Sequence, residues 1–423
     1  MLTLQEIREN RGLVIAKLAK KNFESGSIIN DLLTLDDSRK TLQAELNNDQ
    51  SELNNLSKLI GQFIKENKTD EANQAKERTS VLKDKIKSIE DKHQEVSEMI
   101  DKLLVLLPNT PHESVPEGKS SNDNQLIKTV GEMPSSAGKL PHWELAKKYN
   151  IIDFELGTKI AGAGFPLYIN KGAKLQRALI NFFLNEAEKA GYTEYMPPIV
   201  VNEESGFGTG QLPDKEGQMY HVGKDNLFLI PTAEVPVTNI FRDVIVNVSD
   251  FPIKCTAYTP CFRREAGTYG KDVRGLNRLH QFDKVEIVRL EHPNNSYQAL
   301  EEMVGYVESL VVKLGLPYRI LRLCGGDMSF TSALTYDFEV YSSAQERWLE
   351  VSSVSNFESY QANRLKLRFK EEGQKRTVLA HTLNGSALAL PRIVAALLEN
   401  NQTEKGIKIP ECLVALTGFE YID

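Results

Sequence analysis

The sequence predicts an α+β fold preceded by a long helical hairpin, and three observations lead there. Apolar residues recur at alternating steps of three and four through two long stretches of the first 107 residues. Two prolines, Pro108 and Pro111, then stop regular structure. Further on, long amphipathic stretches alternate with short runs rich in β-branched residues, the mixture an α+β domain requires. The expected organisation is a helical domain over 1–110 with its arm at 28–107, a linker over 111–138 and a second domain over 139–423.

Composition narrows the function classes. The 423 residues suffice for two or three domains with a sizeable core. A hydrophobic share of 41% and a charged share of 26% are those of an ordinary soluble globular protein. No apolar run approaches a membrane span, and the opening MLTLQEIRENRG lacks the basic-then-apolar pattern of a secretion signal, so the expected location is the cytoplasm, with no membrane partner. Cys255, Cys261, Cys324 and Cys412 lack metal-ligand spacing; no zinc site is expected, and the thiols should be reduced. A formal net charge of -7 neither advertises nor excludes a nucleic-acid partner, because local patches steer binding more than the total does.

In the first arm Ile28, Leu32, Leu35, Leu42, Leu46, Leu53, Leu56, Ile60 and Phe63 form an a/d seam, interrupted by Arg39 and Asp49. The second continues it with Ala72, Ala75, Thr79, Leu82, Ile86, Ile89, His93, Val96, Ile100, Leu103 and Leu107. Between them Glu66 to Asp70 is polar, and the chain can reverse there into an antiparallel pair of arms, each roughly 50 Å long at the helical rise. From periodicity alone the pair reads as a dimerisation coiled coil or spacer.

After the linker, HWELAKKYNIIDFE (142–155) resumes folded structure. Lys174 to Lys189 is amphipathic and helical, with Leu175, Leu179, Phe182, Phe183 and Ala187 on its apolar side. Tyr192 to Val201 follows as a strand whose Pro197 and Pro198 place it at a sheet edge. Thr232-Ala233-Glu234 reads by itself as a turn or helix cap.

The densest segment is FRREAGTYGKDVRGLNRLHQFDKVE (262–286): strand, charged glycine-rich loop, strand. The loop holds Gly267, Gly270, Lys271, Asp272, Arg274, Gly275 and Arg278. Arginine binds phosphate or carboxylate in two-point fashion and keeps its charge, so this is an anion site or else a solvated hairpin with surface ion pairs. Further on, Glu350-Val351-Ser352-Ser353 gives an acid and hydroxyls on a strand, and HTLNGSALALPR (381–392) leads into an apolar helix.

FRREAG, RGL and HQFDKVE together resemble motif 2 of the class II aminoacyl-tRNA synthetases, in the form carried by seryl-tRNA synthetases. The helix and proline-bearing strand over 174–201 resemble motif 1, which forms the dimer interface in that family. Residues 381–392 resemble motif 3, and the N-terminal hairpin resembles the one that grips the long variable arm of the tRNA. The resemblance covers nearly the whole chain. It implies an antiparallel β-sheet flanked by helices, a homodimer, and ATP-dependent activation of L-serine followed by transfer to the 3′ end of tRNA(Ser), and of tRNA(Sec) where one exists.

Carried over residue by residue, it places Thr232, Ala233, Glu234, Arg263, Glu286, Asn384 and Ser386 around serine. Arg263, Arg264, Glu265, Phe282, Glu350, Val351, Ser352, Ser353 and Arg392 fall around ATP, with Glu350 and Ser353 as Mg²⁺ ligands. Arg263 and Arg392 are the implied catalytic pair. Candidate tRNA contacts are Lys76, Arg78, Lys83, Lys85 and Lys87. Two positions depart from the family pattern: Ala387 and Pro391 stand where glycines are usual, and Pro391 fits only early in a helix. Two rival functions stay open, a related ligase that charges a carrier protein and a non-enzymatic coiled-coil interaction protein. An intact ATP site argues against the second, and a full-length hairpin against the first.

Overall fold

The computed structural model describes residues 1–265 and 274–423, in two compact units. The first unit takes in residues 2–19 and 23–108 and is helical. Two short helices, α1 (Leu4–Glu9) and α2 (Arg11–Lys20), precede the long pair α3 (Gly26–Lys65) and α4 (Thr69–Leu104). At 1.5 Å per residue the 40 residues of α3 span about 60 Å. The chain reverses over Glu66 to Lys68, where Asn67 takes a positive φ of 57° that asparagine tolerates.

In the middle of the hairpin Leu46, Leu82, Ile86 and Ile89 are buried against Leu42, Leu53 and Leu56, as the seam requires. Near its base the expected register is corrected. Ile29 and Asp36 are buried, while Ile28 and Leu35 are only partly so. An aspartate occupies the inward position there because cations surround it. Arg8 of α1 and Arg39 each reach its carboxylate at 2.7 Å, and Lys40 reaches it at 2.8 Å. A single-face apolar count cannot anticipate a buried charge whose partner comes from another helix.

The second unit comprises Met1, residues 20–22 and residues 109–423. Its centre, among the described residues, is an eight-stranded sheet. The strands are β1 (Gln125–Val130), β2 (Thr193–Glu194), β3 (Ile253–Phe262), β4 (Gln281–Glu291), β5 (Tyr318–Arg322), β6 (Leu334–Ser342), β7 (Arg347–Asn356) and β8 (His381–Ala389). Their spatial order is β1-β5-β6-β7-β8-β4-β3-β2, and every pairing is antiparallel except β2 with β3.

After α5 (His142–Lys148), helices α6 (Asn170–Lys189), α8 (Ser296–Leu314) and α9 (Leu390–Asn400) cover one face; Phe183, Leu300 and Ile393 from them join Val285, Ile287, Phe338 and Val354 of the sheet in one core. Fully burying each such side chain is worth about 1.5–3 kcal/mol, which favours covering this face. The other face of β4 carries the site.

Two expectations fail here. The segment 111–138 is not merely a linker, since Gln125–Val130 pairs with β5 as an edge strand. Its sequence conceals this because an edge strand with five exposed residues has no alternation to read. Tyr192 to Val201 is not one strand either. Thr193–Glu194 joins the main sheet and Val200–Val201 a separate one, with Pro197 and Pro198, which cannot donate to a ladder, lying between.

Candidate active site

The site is built around β4, whose unbroken ten-residue ladder with β3 keeps a strict alternation. Val285 and Ile287 face the core, and Asp283 accepts from Tyr258 Oη and Gln176 Nε2, each at 2.8 Å. Phe282, Lys284 and Glu286 therefore share the opposite face. Both expected strands of motif 2 are present and paired, with Arg263 N–H donating to His280 O at 3.0 Å beyond the ladder's end. Gly267, Gly270, Lys271 and Asp272 of its loop lie outside the described residues.

Thr232 and Ala233 lead into a short helix, α7 (Glu234–Asn239), packed over this face, with Ala233 at its N-cap as the turn-or-cap reading expects. Ala233 is in a small core with Val237, Cys255, Ala257 and Val288, so its side chain serves packing. Thr232 and Glu234 point into a buried polar cluster. Thr232 Oγ1 donates to Glu286 Oε2 at 3.3 Å and accepts from Lys284 Nζ at 2.8 Å, and Lys284 is also ion-paired with Glu286. Gln361, itself fully buried, donates to Glu234 Oε1 at 2.6 Å and is held by Thr382 Oγ1 at 2.7 Å. Burial and the Glu286 carboxylate push Glu234 up to about 7, opposed by Gln361, Lys284 and Asn384.

Asn384 and Ser386 come from β8, with Ser386 directly across from Glu286 and Asn384 across from Val288. The predicted amino-acid pocket is thus brought together from α7, β4 and β8. The sequence reading omitted Lys284 and Gln361. For Lys284 the period-two spacing with Phe282 and Glu286 was a usable signal; Gln361, 127 residues from its partner, offered none.

Beside the pocket, the Arg263 guanidinium lies over the Phe282 ring, 5.3 Å from its centroid. Glu265, at a positive φ of 49°, faces Arg278 across the loop's base at 3.5 Å. Arg264 is exposed, and its N–H donates to Gln218 O at 2.9 Å. Arg392 lies in the first turn of α9, donating to Glu350 O at 2.7 Å and Asn277 O at 3.2 Å. Arg263, Arg278 and Glu265 are all within its electrostatic reach. Pro391 is indeed at an early helix position, so its missing N–H and fixed φ fit the local backbone.

On β7 a register shift opposite Phe338 and Glu339 inserts one residue between Glu350 and Ser353. That bulge puts both on one face, whereas regular pleating would separate them. Val351 turns into the core, and the Ser352 hydroxyl donates to Ser386 O at 2.6 Å, so neither directs its side chain toward a ligand. Directly across from Ser353 stands Asp337, whose buried Oδ1 has no hydrogen-bond partner among the described residues. A half-exposed carboxylate, a hydroxyl and an unpartnered buried carboxylate oxygen are hard donors of the kind Mg²⁺ takes. Among the described residues no group of three or more His, Cys, Asp and Glu could hold a metal ion.

On the hairpin the five candidate cations divide. Arg78 pairs with Glu52 at 2.5 Å and Lys85 with Asp49 at 2.9 Å, both across to α3. Lys76, Lys83 and Lys87 are exposed and form no salt bridge among the described residues; at 100° per residue they fall within one sector of about 40°.

Known proteins resemble this chain over its whole length. The family model for the seryl-tRNA synthetase N-terminal domain matches residues 1–111, and that for the tRNA synthetase class II core domain (G, H, P, S and T) matches residues 219–401. A serine–tRNA ligase of Salinibacter ruber is 51% identical over 100% of this chain and 99% of its own length. The crystal structure of Pyrococcus horikoshii seryl-tRNA synthetase complexed with ATP superposes with a TM-score of 0.92, at 33% identity and 99% coverage of both chains. The Naegleria fowleri cytoplasmic enzyme in complex with AMP, at 24% identity and a TM-score of 0.88, shares the fold.

Proposed function

Since this chain belongs to the seryl-tRNA synthetases of class II and is a serine–tRNA ligase, with ATP as substrate and tRNA as partner, we propose how its residues divide the work. The reading rests on one observation above the others. Thr232, Glu234 and Glu286 form a buried polar pocket on the same face of β4 as Phe282 and Arg263.

Glu234 and Glu286 receive the ammonium group of L-serine, and Thr232, Asn384 and Ser386 complete the pocket around its hydroxyl. A site that must hydrogen-bond a hydroxyl rejects alanine by leaving those groups unpaired. Phe282 supports the adenine ring, and Glu265 receives its amino group. Arg264 borders the site, and the backbone of Val351 and Ser352 lines it. Arg263 spans the serine carboxylate and the α-phosphate, and Arg392 holds the far end of the triphosphate.

The carboxylate oxygen attacks the α-phosphorus, forming the acyl-phosphate bond as pyrophosphate leaves. The terminal hydroxyl of tRNA then attacks the carbonyl carbon, and AMP departs. Arg263 aligns nucleophile and phosphorus and offsets charge in the pentavalent transition state. Glu350 and Ser353 would hold Mg²⁺, which when bound neutralises phosphate charge.

The tRNA partner is tRNA(Ser), and tRNA(Sec) where the organism has one, gripped along the stripe of Lys76, Lys83 and Lys87. Homodimerisation uses the β2 edge, where Met196 is 90% exposed and Ile199 and Val200 are partly so. No helix among the described residues is long and apolar enough to cross a membrane, which is consistent with a cytoplasmic enzyme. The helical unit with its arm serves tRNA binding, and the unit that holds residues 109–423 serves catalysis.

The test is serine-dependent ATP–pyrophosphate exchange by Arg263→Ala. A fall of about two to three orders of magnitude in a folded variant is expected. Near-normal exchange would refute the assigned role.

A further inference from the structure

Lys284 is 5% exposed, yet none of the roles above uses it. It stands on β4 between Phe282 and Glu286, on the same face as both, and so between the adenine platform and the amino-acid pocket. A buried lysine is costly unless its charge is matched and its donors are used. Here two of its three N–H donors are engaged, by Thr232 Oγ1 at 2.8 Å and by the Glu286 carboxylate.

The charged groups around it are few. Glu286 and Glu234 are buried carboxylates, and Arg263 lies at the end of the neighbouring strand. The Cys261 thiol is pushed up by its burial and stays neutral. Glu234, in turn, is drawn down by the Lys284 charge.

From this geometry we infer that Lys284 is a positioning residue of the amino-acid pocket: its ammonium fixes Glu286 and Thr232 and serves as the internal counter-charge that lets Glu234 and Glu286 both be ionised. The inference rests on the serine-pocket reading given above. Above the Glu234 titration point, with Lys284 in place, two carboxylates and one ammonium leave the pocket one net negative charge. An amino acid entering with a single ammonium group makes it neutral. Without Lys284 the two carboxylates repel, one keeps its proton, and the incoming ammonium must displace that proton.

The experiment is serine KM in ATP–pyrophosphate exchange across pH 6 to 9, for the wild type, Lys284→Met, Lys284→Arg and Glu286→Gln, with ATP KM measured alongside. Lys284→Met should raise serine KM by about tenfold or more at pH 7, leave ATP KM within about twofold, and show a deficit that shrinks toward pH 9 as the carboxylates ionise. Lys284→Arg, which keeps the charge, should titrate as the wild type does. Should Lys284→Met fail to fold, the position of the Lys284→Arg profile decides: one displaced upward by a unit or more overturns the inference.

A pH-independent deficit in Lys284→Met would reduce the residue to packing and also overturn it. If Glu286→Gln loses serine binding while Lys284→Met retains it, the Lys284 inference alone falls. If Glu286→Gln leaves serine KM unchanged, the pocket itself is misplaced and both readings fall.

Discussion

Because burial and Glu286 push the Glu234 carboxyl up to about 7, the ligand-free pocket takes up a proton as the pH falls through neutrality. Serine enters with an ammonium group and is best met by the ionised form. Its apparent affinity should therefore be constant above about pH 8 and weaken by about tenfold between pH 8 and pH 6, one decade per unit below the titration point. Serine KM against pH, with ATP KM as the control, measures this. A profile flat through pH 6 would mean that Glu234 is ionised throughout and that the burial argument fails. Glu234→Gln has no charge to titrate; it should bind serine weakly and without that dependence. The direction follows from the sign of the shift, since a raised carboxyl loses its charge first when acid is added.

The same concern with buried groups recurs where elements meet. The return of the motif 2 loop is fastened by His142, whose Nε2 accepts from Leu276 N–H at 2.8 Å while Nδ1 pairs with the buried Glu399 of α9 at 2.7 Å. Gly275 has a φ of +67°, and a Cβ there would stand 2.2 Å from His142 Nε2. Gly275→Ala should lower stability by about 1–3 kcal/mol and cut exchange activity, because the strand carrying Phe282 and Glu286 starts six residues on. A thermal melt paired with exchange kinetics checks it; an unaltered pair would show that the loop is set elsewhere. In the hairpin, Asp36→Ala removes the one partner shared by Arg8, Arg39 and Lys40. The three cations keep part of their hydration, so a loss of about 1–3 kcal/mol is expected rather than the full cost of a buried unpaired charge. Unfolding of the helical unit followed by circular dichroism reads that loss. These two sites also mark what the sequence could reveal. The α4 seam, the motif 2 strands and the early-helix place of Pro391 rest on local spacing, and spacing is visible in one chain. The Arg8 contact of Asp36, Gln361 behind Glu234 and residues 125–130 as an edge strand depend on partners tens to hundreds of residues away. Pattern within a segment carries no signal of them.

Across the whole chain, selection of the amino acid and selection of the tRNA are assigned to different parts, and that separation can be tested. Residues 23–108 belong to a unit distinct from the sheet that holds the pocket. A variant lacking residues 30–100 should retain serine-dependent exchange and lose serylation of tRNA. Retained serylation would sink the arm's assigned role. A finer variant replaces Lys76, Lys83 and Lys87 together by alanine. These three are exposed, form no salt bridge among the described residues and share one stripe, so the fold should hold within about 0.5 kcal/mol, as surface changes usually do. If each neutralises one phosphate, tRNA affinity should fall, and the slope of log affinity against log salt should shrink by about 2 to 3. Arg78→Ala and Lys85→Ala, whose charges are already paired to Glu52 and Asp49, should change that slope less than the stripe variant does. A tRNA titration at several salt concentrations separates the two groups. Equal slopes for the stripe variant and the wild type would place the phosphate contacts on another surface, whereas a reduced slope with unchanged exchange would tie tRNA selection to one flank of α4.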